Sequence, residues 1–461
     1  MTCVVPFNKT DFIFIYIFLF DLTMTTLIKA SDTDETRQDL IRRFMKDLVI
    51  KSIPSKSFQK TYQAQQKIQL FEHDGDEFII PFHYHQQLFE AENEDEQEFA
   101  NDNLKYTGNI FEFTGKLLPR QELVIDEILE TMDRQRCMIL SLYCGFGKTI
   151  LSIYIAQYLC QKMGGGKVGV CCHRLILIEQ WVHSIKKTTN AKVQIITSKN
   201  KIDPEADIYI FNLQNIQKRS IEDMANISFL IVDECHTICT QNLAFSMMFI
   251  RPKYCIGLSA TPKRADGIDE ALYKYFSNTI FERSMRRNYM VYIYSSNFNL
   301  KPETKNDKLD WNHCLEQQAI NKERNRDICD IARRFSTRNI LILCKRVSHA
   351  KVLVEELNKT DDADLFVGSK KTFDAESRIL VVTCSKGGVG FDHSKLDMLI
   401  IAADVENLFI QYLGRVFRRD DTIPIVVDIK DKFYPFQRHL KTRMQTYLET
   451  GGVMCKYDDL F

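Results

Sequence analysis

Apolar residues change their spacing several times along this chain, and each change marks out a part. "FIFIYIFLF" (12–20) is a continuous apolar run between Asp11 and Asp21. A helix that crosses a bilayer needs about 20 apolar residues, so the run is too short for one. It also lacks the basic leader and the small-residue cleavage site of a signal peptide. We read residues 1–23 as a dispensable leader, because Met24 opens a far more polar stretch. A buried strand or hairpin and a targeting signal are the alternatives. Residues 24–112 mix periods. "TRQDLIRRFMKDLVI" has helical spacing, and "DEFIIPFHY" reads as a strand beside a turn at Asp74-Gly75. His83 and His85 alternate in that strand-like stretch, and we take them as ordinary histidines rather than metal ligands. "EAENEDEQEFANDN" reads as a solvated acidic loop. Together these predict a small α+β accessory domain.

After Gly115 the rhythm becomes regular. "MILSL", "KVGVCC", "VQIIT", "DIYIF", "FLIVD" and "YCIGLS" are short apolar runs separated by helical segments. Strands without alternation, spaced by helices, predict a parallel sheet covered on both faces. The rhythm pauses around 284–320 and resumes with "NILILC", "RILVV", "MLIIA" and "IPIVVDI". The fold class is therefore α/β, with one unit over 113–290 and a second over 291–461.

Composition adds limits. A chain of 461 residues makes two to four domains, at about 150 residues each. Lys and Arg number 61, as do Asp and Glu, so the formal charge is zero and any polyanion-binding surface must be local. The 14 cysteines show neither zinc spacing nor a disulfide framework and read as reduced thiols in the core. That favours a cytosolic or nuclear compartment.

Two stretches carry candidate chemistry. "YCGFGKT" (143–149) lies where the strand "MILSL" hands over to the helical pattern "TILSIYIAQYLCQKM". A helix N-terminus offers free N–H groups and a favourable dipole to anions. Gly145 and Gly147, flanking Phe146, let backbone approach phosphate oxygens; Lys148 can reach the β and γ phosphates, and the Thr149 hydroxyl can sit on Mg²⁺. The general pattern wants glycine at 142, where Leu142 stands. A plain glycine turn is the other reading. "FLIVDECH" places Asp233 and Glu234 at the C-terminal end of a strand, the edge at which parallel sheets bind ligands. The aspartate can hold Mg²⁺ and the glutamate can deprotonate a water.

With these motifs in this order, the sequence resembles the superfamily 2 helicases of DExH type. "YCGFGKT" is similar to motif I in its superfamily form, which often lacks the first glycine, and "DECH" to motif II. "SAT" (259–261) resembles motif III, "VTCSKGGVGFD" (382–392) motif V, and "QYLGRVFR" (411–418) motif VI. "CCHRLILIEQW" (171–181) is similar to motif Ia, and "LLPRQ" (117–121) to the segment that carries a glutamine near the adenine. The wording "CGFGKT", "IEQW" and "VVDIKD" looks closest to helicases of large cytoplasmic DNA viruses. These include the poxvirus transcript-release helicase and its African swine fever virus relative, themselves similar to XPB-type DNA helicases.

The resemblance implies two tandem RecA-like domains and ATP hydrolysis with Mg²⁺, on DNA or an RNA–DNA hybrid. It implies Gln121 and Asp392 near the nucleotide's adenine and ribose. Arg415 and Arg418 would neutralise the γ phosphate from the second domain, three apart on one helical face. Gln411 and His236 would sense closure, and Ser259 and Thr261 would couple the ATP site to the nucleic acid. Arg174, Gln214 and Thr383 are the candidate nucleic-acid contacts, and the charged runs "KERNR" (322–326) and "RNILILCKR" (338–346) either add attraction or are ordinary solvated surface. A viral RNA polymerase or transcription factors would be partners, with no membrane, in the host cytoplasm, its viral factories or the virion. A non-catalytic helicase-like adaptor is the competing function.

Overall fold

A computed structural model describes residues 27–29, 35–53, 66–92, 108–143, 145–219, 221–224, 226–264, 266–305, 307–370, 372–387, 393–405, 409–419 and 421–457. The leader run at 12–20, most of the acidic run, and Asp392 with Gly388 and Gly390 lie outside them. The chain divides into two compact units, residues 1–142 with 147–282, and residues 143–146 with 283–461.

The first unit opens with two small antiparallel arrangements. One sheet has the order β1-β5-β4 from β1 (Leu27–Lys29), β4 (Glu72–Asp74) and β5 (Glu77–Ile79), and β2 (Val49–Lys51) pairs with β3 (Lys67–Gln69). The hairpin β4–β5 turns through Gly75 at φ 53°, a conformation that glycine adopts without strain. The helix Arg37–Asp47 is capped by Thr36, whose hydroxyl accepts from Asp39 N, and it buries Leu40 and Phe44. The Phe44 ring meets Phe71, Phe78 and Tyr84 at centroid distances of 5.8, 5.3 and 6.1 Å.

Here one expectation changes. His83 and His85 sit in a helix, Phe82–Glu92, rather than in a strand. Pro81 ends the extended stretch and its carbonyl accepts from His85 N, so the chain turns helical just past the proline. Both histidines are buried. The accessory strands share one apolar core with the first large sheet; Phe82, for example, packs edge-on against Tyr275 at 5.6 Å.

That sheet has seven strands: β6 (Cys137–Leu142), β7 (Lys167–Cys171), β8 (Val193–Ile196), β9 (Ile208–Phe211), β10 (Ile227–Asp233), β11 (Tyr254–Leu258) and β12 (Ile280–Arg283). Their order is β12-β6-β11-β10-β7-β9-β8, and the pairings from β6 through β8 are parallel. Every residue of β6, β7, β9 and β11 is buried, which is why these strands read as unbroken apolar runs. β10 lies at the centre and delivers Asp233 to the carboxyl edge.

The second unit repeats the plan. A short hairpin, β14 (Thr304–Lys305) with β15 (Lys308–Leu309), precedes its helices. Its seven-stranded sheet contains β13 (Tyr289–Ser295), β16 (Ile340–Cys344), β17 (Ala363–Phe366), β18 (Ile379–Thr383), β19 (Met398–Ile401), β20 (Ile425–Lys430) and β21 (Gly452–Cys455). The order is β17-β18-β16-β19-β20-β13-β21, parallel throughout. β13 falls inside the stretch read as a pause. Its buried and half-exposed residues interleave, so no continuous apolar run announces it. Among the described residues no helix is long and apolar enough to cross a membrane. Twelve described cysteines are free thiols, ten of them buried.

Candidate nucleotide and nucleic-acid site

The phosphate-loop stretch closes on itself through local bonds. Phe146 N donates to Tyr143 O, the two rings meet edge-on at 5.3 Å, and Phe146 is buried. Gly145 and Gly147 hold φ of 91° and 92°. A Cβ at 147 would come within 2.5 Å of Gln121 Nε2, so the loop is shaped around the absence of a side chain there. Gln121, buried in the first turn of the helix Pro119–Gln135, accepts from Leu118 N at 2.7 Å and donates to Gly147 O at 2.9 Å. The glutamine expected beside the adenine thus also braces the loop.

The helix Lys148–Lys162 starts directly at the lysine, with Gly147 as its cap, a residue that brings no side-chain cap to the first N–H groups. Those donors, with Thr149 in the same turn, form an anion-binding end. Lys148 Nζ donates to Leu142 O at 2.8 Å, and its charge also reaches Asp233. Loop lysine and strand-end aspartate therefore share one locality.

Asp233 is enclosed. Burial, and then the neighbouring Glu234 charge, push its carboxyl well above the usual range; the hydrogen bond from Trp181 Nε1 at 2.9 Å and the Lys148 charge pull the other way. Glu234 follows in a left-handed conformation, φ 50° and ψ 52°, strained for a residue with a Cβ. From it runs a polar chain: Glu234 Oε2 lies 3.4 Å from His236 Nδ1, that nitrogen is 3.1 Å from Ser259 Oγ, and Ser259 Oγ accepts from Thr261 N at 3.1 Å. Burial and Arg264 lower the His236 pKa, so the link to Glu234 is a contact of a neutral imidazole. Glu234 and His236 thus join Ser259 and Thr261, the pair expected to couple the site to nucleic acid, in one continuous string.

Mg²⁺ takes hard oxygen ligands and keeps most of its shell as water and phosphate oxygen, with one or two protein donors. The Thr149 hydroxyl, in the first turn of the helix that the loop opens, and the Asp233 carboxylate, at the end of β10 and within reach of the Lys148 charge, are donors of that kind. The residues present fit the ion.

On the same carboxyl edge, Arg174 and Gln214 are both exposed. They follow the paired strands β7 and β9. Asn212, which sequence reasoning passed over, ties them together: its Nδ2 donates to His173 O at 3.1 Å while its Oδ1 accepts from Gln214 N at 3.0 Å.

In the second unit Thr383 is buried at the end of β18, its hydroxyl 3.2 Å from Ser385 Oγ, and Ser385 is the exposed hydroxyl of the two. Gln411 is buried on the helix Phe409–Val416, and its Oε1 has no hydrogen-bond partner among the described residues. Arg415 Nε donates to Gly387 O at 3.3 Å. The two arginines do not share a helical face: the helix stops at Val416, and Arg418 lies in the irregular segment after it. That segment is held by Arg287, whose guanidinium donates to the carbonyls of Phe417 (2.7 Å), Thr422 (3.1 Å) and Arg419. A partner 130 residues away left no local signal in the sequence.

The charged run at 322–326 is structural at its centre. Arg324 is 1% exposed and donates to Asp431 Oδ1 at 2.8 Å and Ala402 O at 2.7 Å. Arg338 and Arg346, from the second run, bond to Asp397 and Asn312.

Two parallel-sheet units, a glycine-shaped loop opening a helix, and an Asp-Glu pair at the carboxyl end of the central strand fit an NTP-hydrolysing enzyme. The family described as "ResIII: Type III restriction enzyme, res subunit" matches residues 114–264. "Putative helicase 161L" of Invertebrate iridescent virus 6 is 33% identical over 75% of this chain and 84% of its own length. "Transcript termination protein A18" of Yaba-like disease virus is 25% identical over 69% and 73%. Among solved structures, S. cerevisiae Dbp5 bound to RNA and ADP BeF3 shares the fold at a TM-score of 0.53, with 15% identity, over 75% of this chain and 95% of that one. The chain belongs to the superfamily 2 helicases, in company with viral members, and so to the NTP-hydrolysing enzymes.

Proposed function

We propose that the protein is an ATP-dependent DNA helicase or translocase, stimulated by nucleic acid and acting in viral transcription, at transcript release or DNA remodelling. The observation that carries the catalytic part is the local grouping of Lys148, Asp233 and Glu234, with the polar string leading from Glu234 to Thr261. A non-catalytic adaptor would have no physical need for it. The transcriptional part is supported by similarity to a protein named for transcript termination. A viral RNA polymerase or its factors are the partners this reading calls for, in the cytoplasm of an infected cell.

Phosphoryl transfer to water is chiefly positioning and charge neutralisation. In the proposed mechanism the backbone of Gly145, Phe146 and Gly147 cradles the phosphates, and Lys148 exchanges the Leu142 carbonyl for phosphate oxygen. Thr149 and Asp233 would hold Mg²⁺, which would supply charge neutralisation to the phosphates. Glu234 orients the attacking water and accepts its proton. Gln121 keeps the loop in shape, and Asp392 is assigned the ribose. Arg415 and Arg418 provide the cations for the γ phosphate, with Gln411 and His236 reporting its presence. Ser259 and Thr261 pass that state towards the strand-binding residues Arg174, Gln214 and Thr383, the last through its backbone.

ATP turnover with single-stranded DNA, duplex DNA, RNA and hybrid, followed by strand displacement on tailed duplexes, tests the reading. DNA or hybrid should raise turnover most. Turnover that ignores all four would leave a nucleic-acid-independent NTPase and remove the motor.

A further inference from the structure

Trp181 lies outside every motif role assigned above. It sits on the helix Leu175–Thr188, 2% exposed, beside the buried Leu177, Ile178 and Ile185 of the same helix. Packing alone would be served by an apolar ring. An indole brings an N–H that only donates, and burial obliges that donor to find an acceptor. Here the acceptor is a carboxylate oxygen, Asp233 Oδ2, at 2.9 Å, from a residue 52 positions away.

We infer that Trp181 is a positioning residue for the Mg²⁺ site: its indole N–H holds one oxygen of Asp233 and thereby turns the other towards the ion. This rests on the ATPase reading above. A lone carboxylate at a strand end can rotate about two side-chain bonds. Mg²⁺ demands near-octahedral ligands at about 2.0–2.1 Å, so an unpinned carboxylate spends little time in the productive pose. One hydrogen bond from a wedged, buried ring removes most of that freedom, and the donor's dipole also favours the ionised carboxylate that the metal requires. Partners of this kind, which touch the ligand rather than the ion, typically cost 10–100-fold in metal affinity when lost.

Two replacements separate the N–H from the ring. Trp181→Phe removes the donor and some volume. The tryptophan analogue with benzothiophene for indole, sulfur in place of N–H, keeps the volume; it is placed at 181 in a Trp311→Phe background, since the chain has only two tryptophans. Mn²⁺ affinity in the presence of saturating ADP is read by electron paramagnetic resonance, ADP affinity without metal by calorimetry in EDTA, and the Mg²⁺ requirement by ATP turnover. The expected result for both replacements is Mn²⁺ affinity weakened about 10-fold, with the Mg²⁺ requirement raised to match and metal-free ADP affinity unchanged. Unaltered Mn²⁺ affinity in the analogue-bearing protein would overturn the assignment, and so would an equal loss of metal-free ADP affinity. A wild-type protein that turned over no ATP would remove the ATPase reading, while the Mn²⁺ measurement would still decide the role of Trp181.

Discussion

Glu234 occupies a backbone conformation that a side chain resists, and it does so between a half-buried aspartate and a neutral histidine. Strain of this kind persists only where the surroundings impose it, and here the carboxylate lies 3.4 Å from His236 Nδ1. If the carboxylate is the base, Glu234→Gln keeps shape and hydrogen bonding and loses only proton acceptance. Single-turnover hydrolysis should then fall about 10²–10⁴-fold while ATP affinity stays within a few-fold. Lys148→Ala should lose ATP affinity as well. Near-wild-type turnover in Glu234→Gln would remove the base assignment. Residues such as these were legible in the sequence because their chemistry is contiguous: a loop and its helix, a strand and the two acids that end it. Trp181 and Asn212 were not, because a hydrogen bond between distant segments leaves no spacing to read.

Among the elements, the strands that sequence periodicity found are chiefly those walled in on both faces, such as β6, β9, β16 and β18. In the two large sheets the ones it missed were β12, β17 and β21, which are sheet edges, and β13, next to an edge. These edge strands are half covered and mix exposed with buried residues, so they carry no uninterrupted apolar run. The segment after the helix Phe409–Val416 was likewise misread as helix. Its conformation is set by Arg287, a tertiary tie, rather than by its own composition. Arg287→Ala should therefore act at a distance, releasing Arg418 and lowering kcat about 10²-fold with ATP affinity nearly kept. Unchanged kcat would show that the segment holds its place unaided. Arg324 makes the opposite point. Its run read either as added attraction for nucleic acid or as solvated surface, yet Arg324 itself is held in a buried ion pair with Asp431. Arg324→Ala leaves that carboxylate's charge uncompensated in the core and should cost about 3–5 kcal/mol of stability in urea unfolding. The salt dependence of DNA binding should not change; a shallower slope would return Arg324 to the interface.

Two units with separate cores need not unfold together, and acid should separate them. In the first unit burial pushes His83, His85 and His173 down to about 4 and also lowers His236. In the second, burial pushes His349 down to about 3 and lowers His393. Each is neutral in the folded chain at a pH where the unfolded chain, titrating near 6.5, already binds a proton. Below about 6.5 the unfolded state therefore holds more protons, and stability falls as pH falls, by up to about 1.4 kcal/mol per pH unit for each such histidine. The raised carboxyls of Glu72 and Asp233 in the first unit and of Asp404 in the second work the other way, two against one, and offset only part of the difference. Four lowered histidines against two make the first unit the more acid-sensitive. The tryptophans provide a reporter apiece, Trp181 in the first unit and Trp311 in the second. Fluorescence-detected urea unfolding of Trp311→Phe follows the first, and Trp181→Phe the second. Between pH 7 and pH 5 both midpoints should fall, the first more steeply. A flat or rising midpoint in the first unit would mean that these histidines take protons without unfolding, and that their burial is shallower than the packing describes.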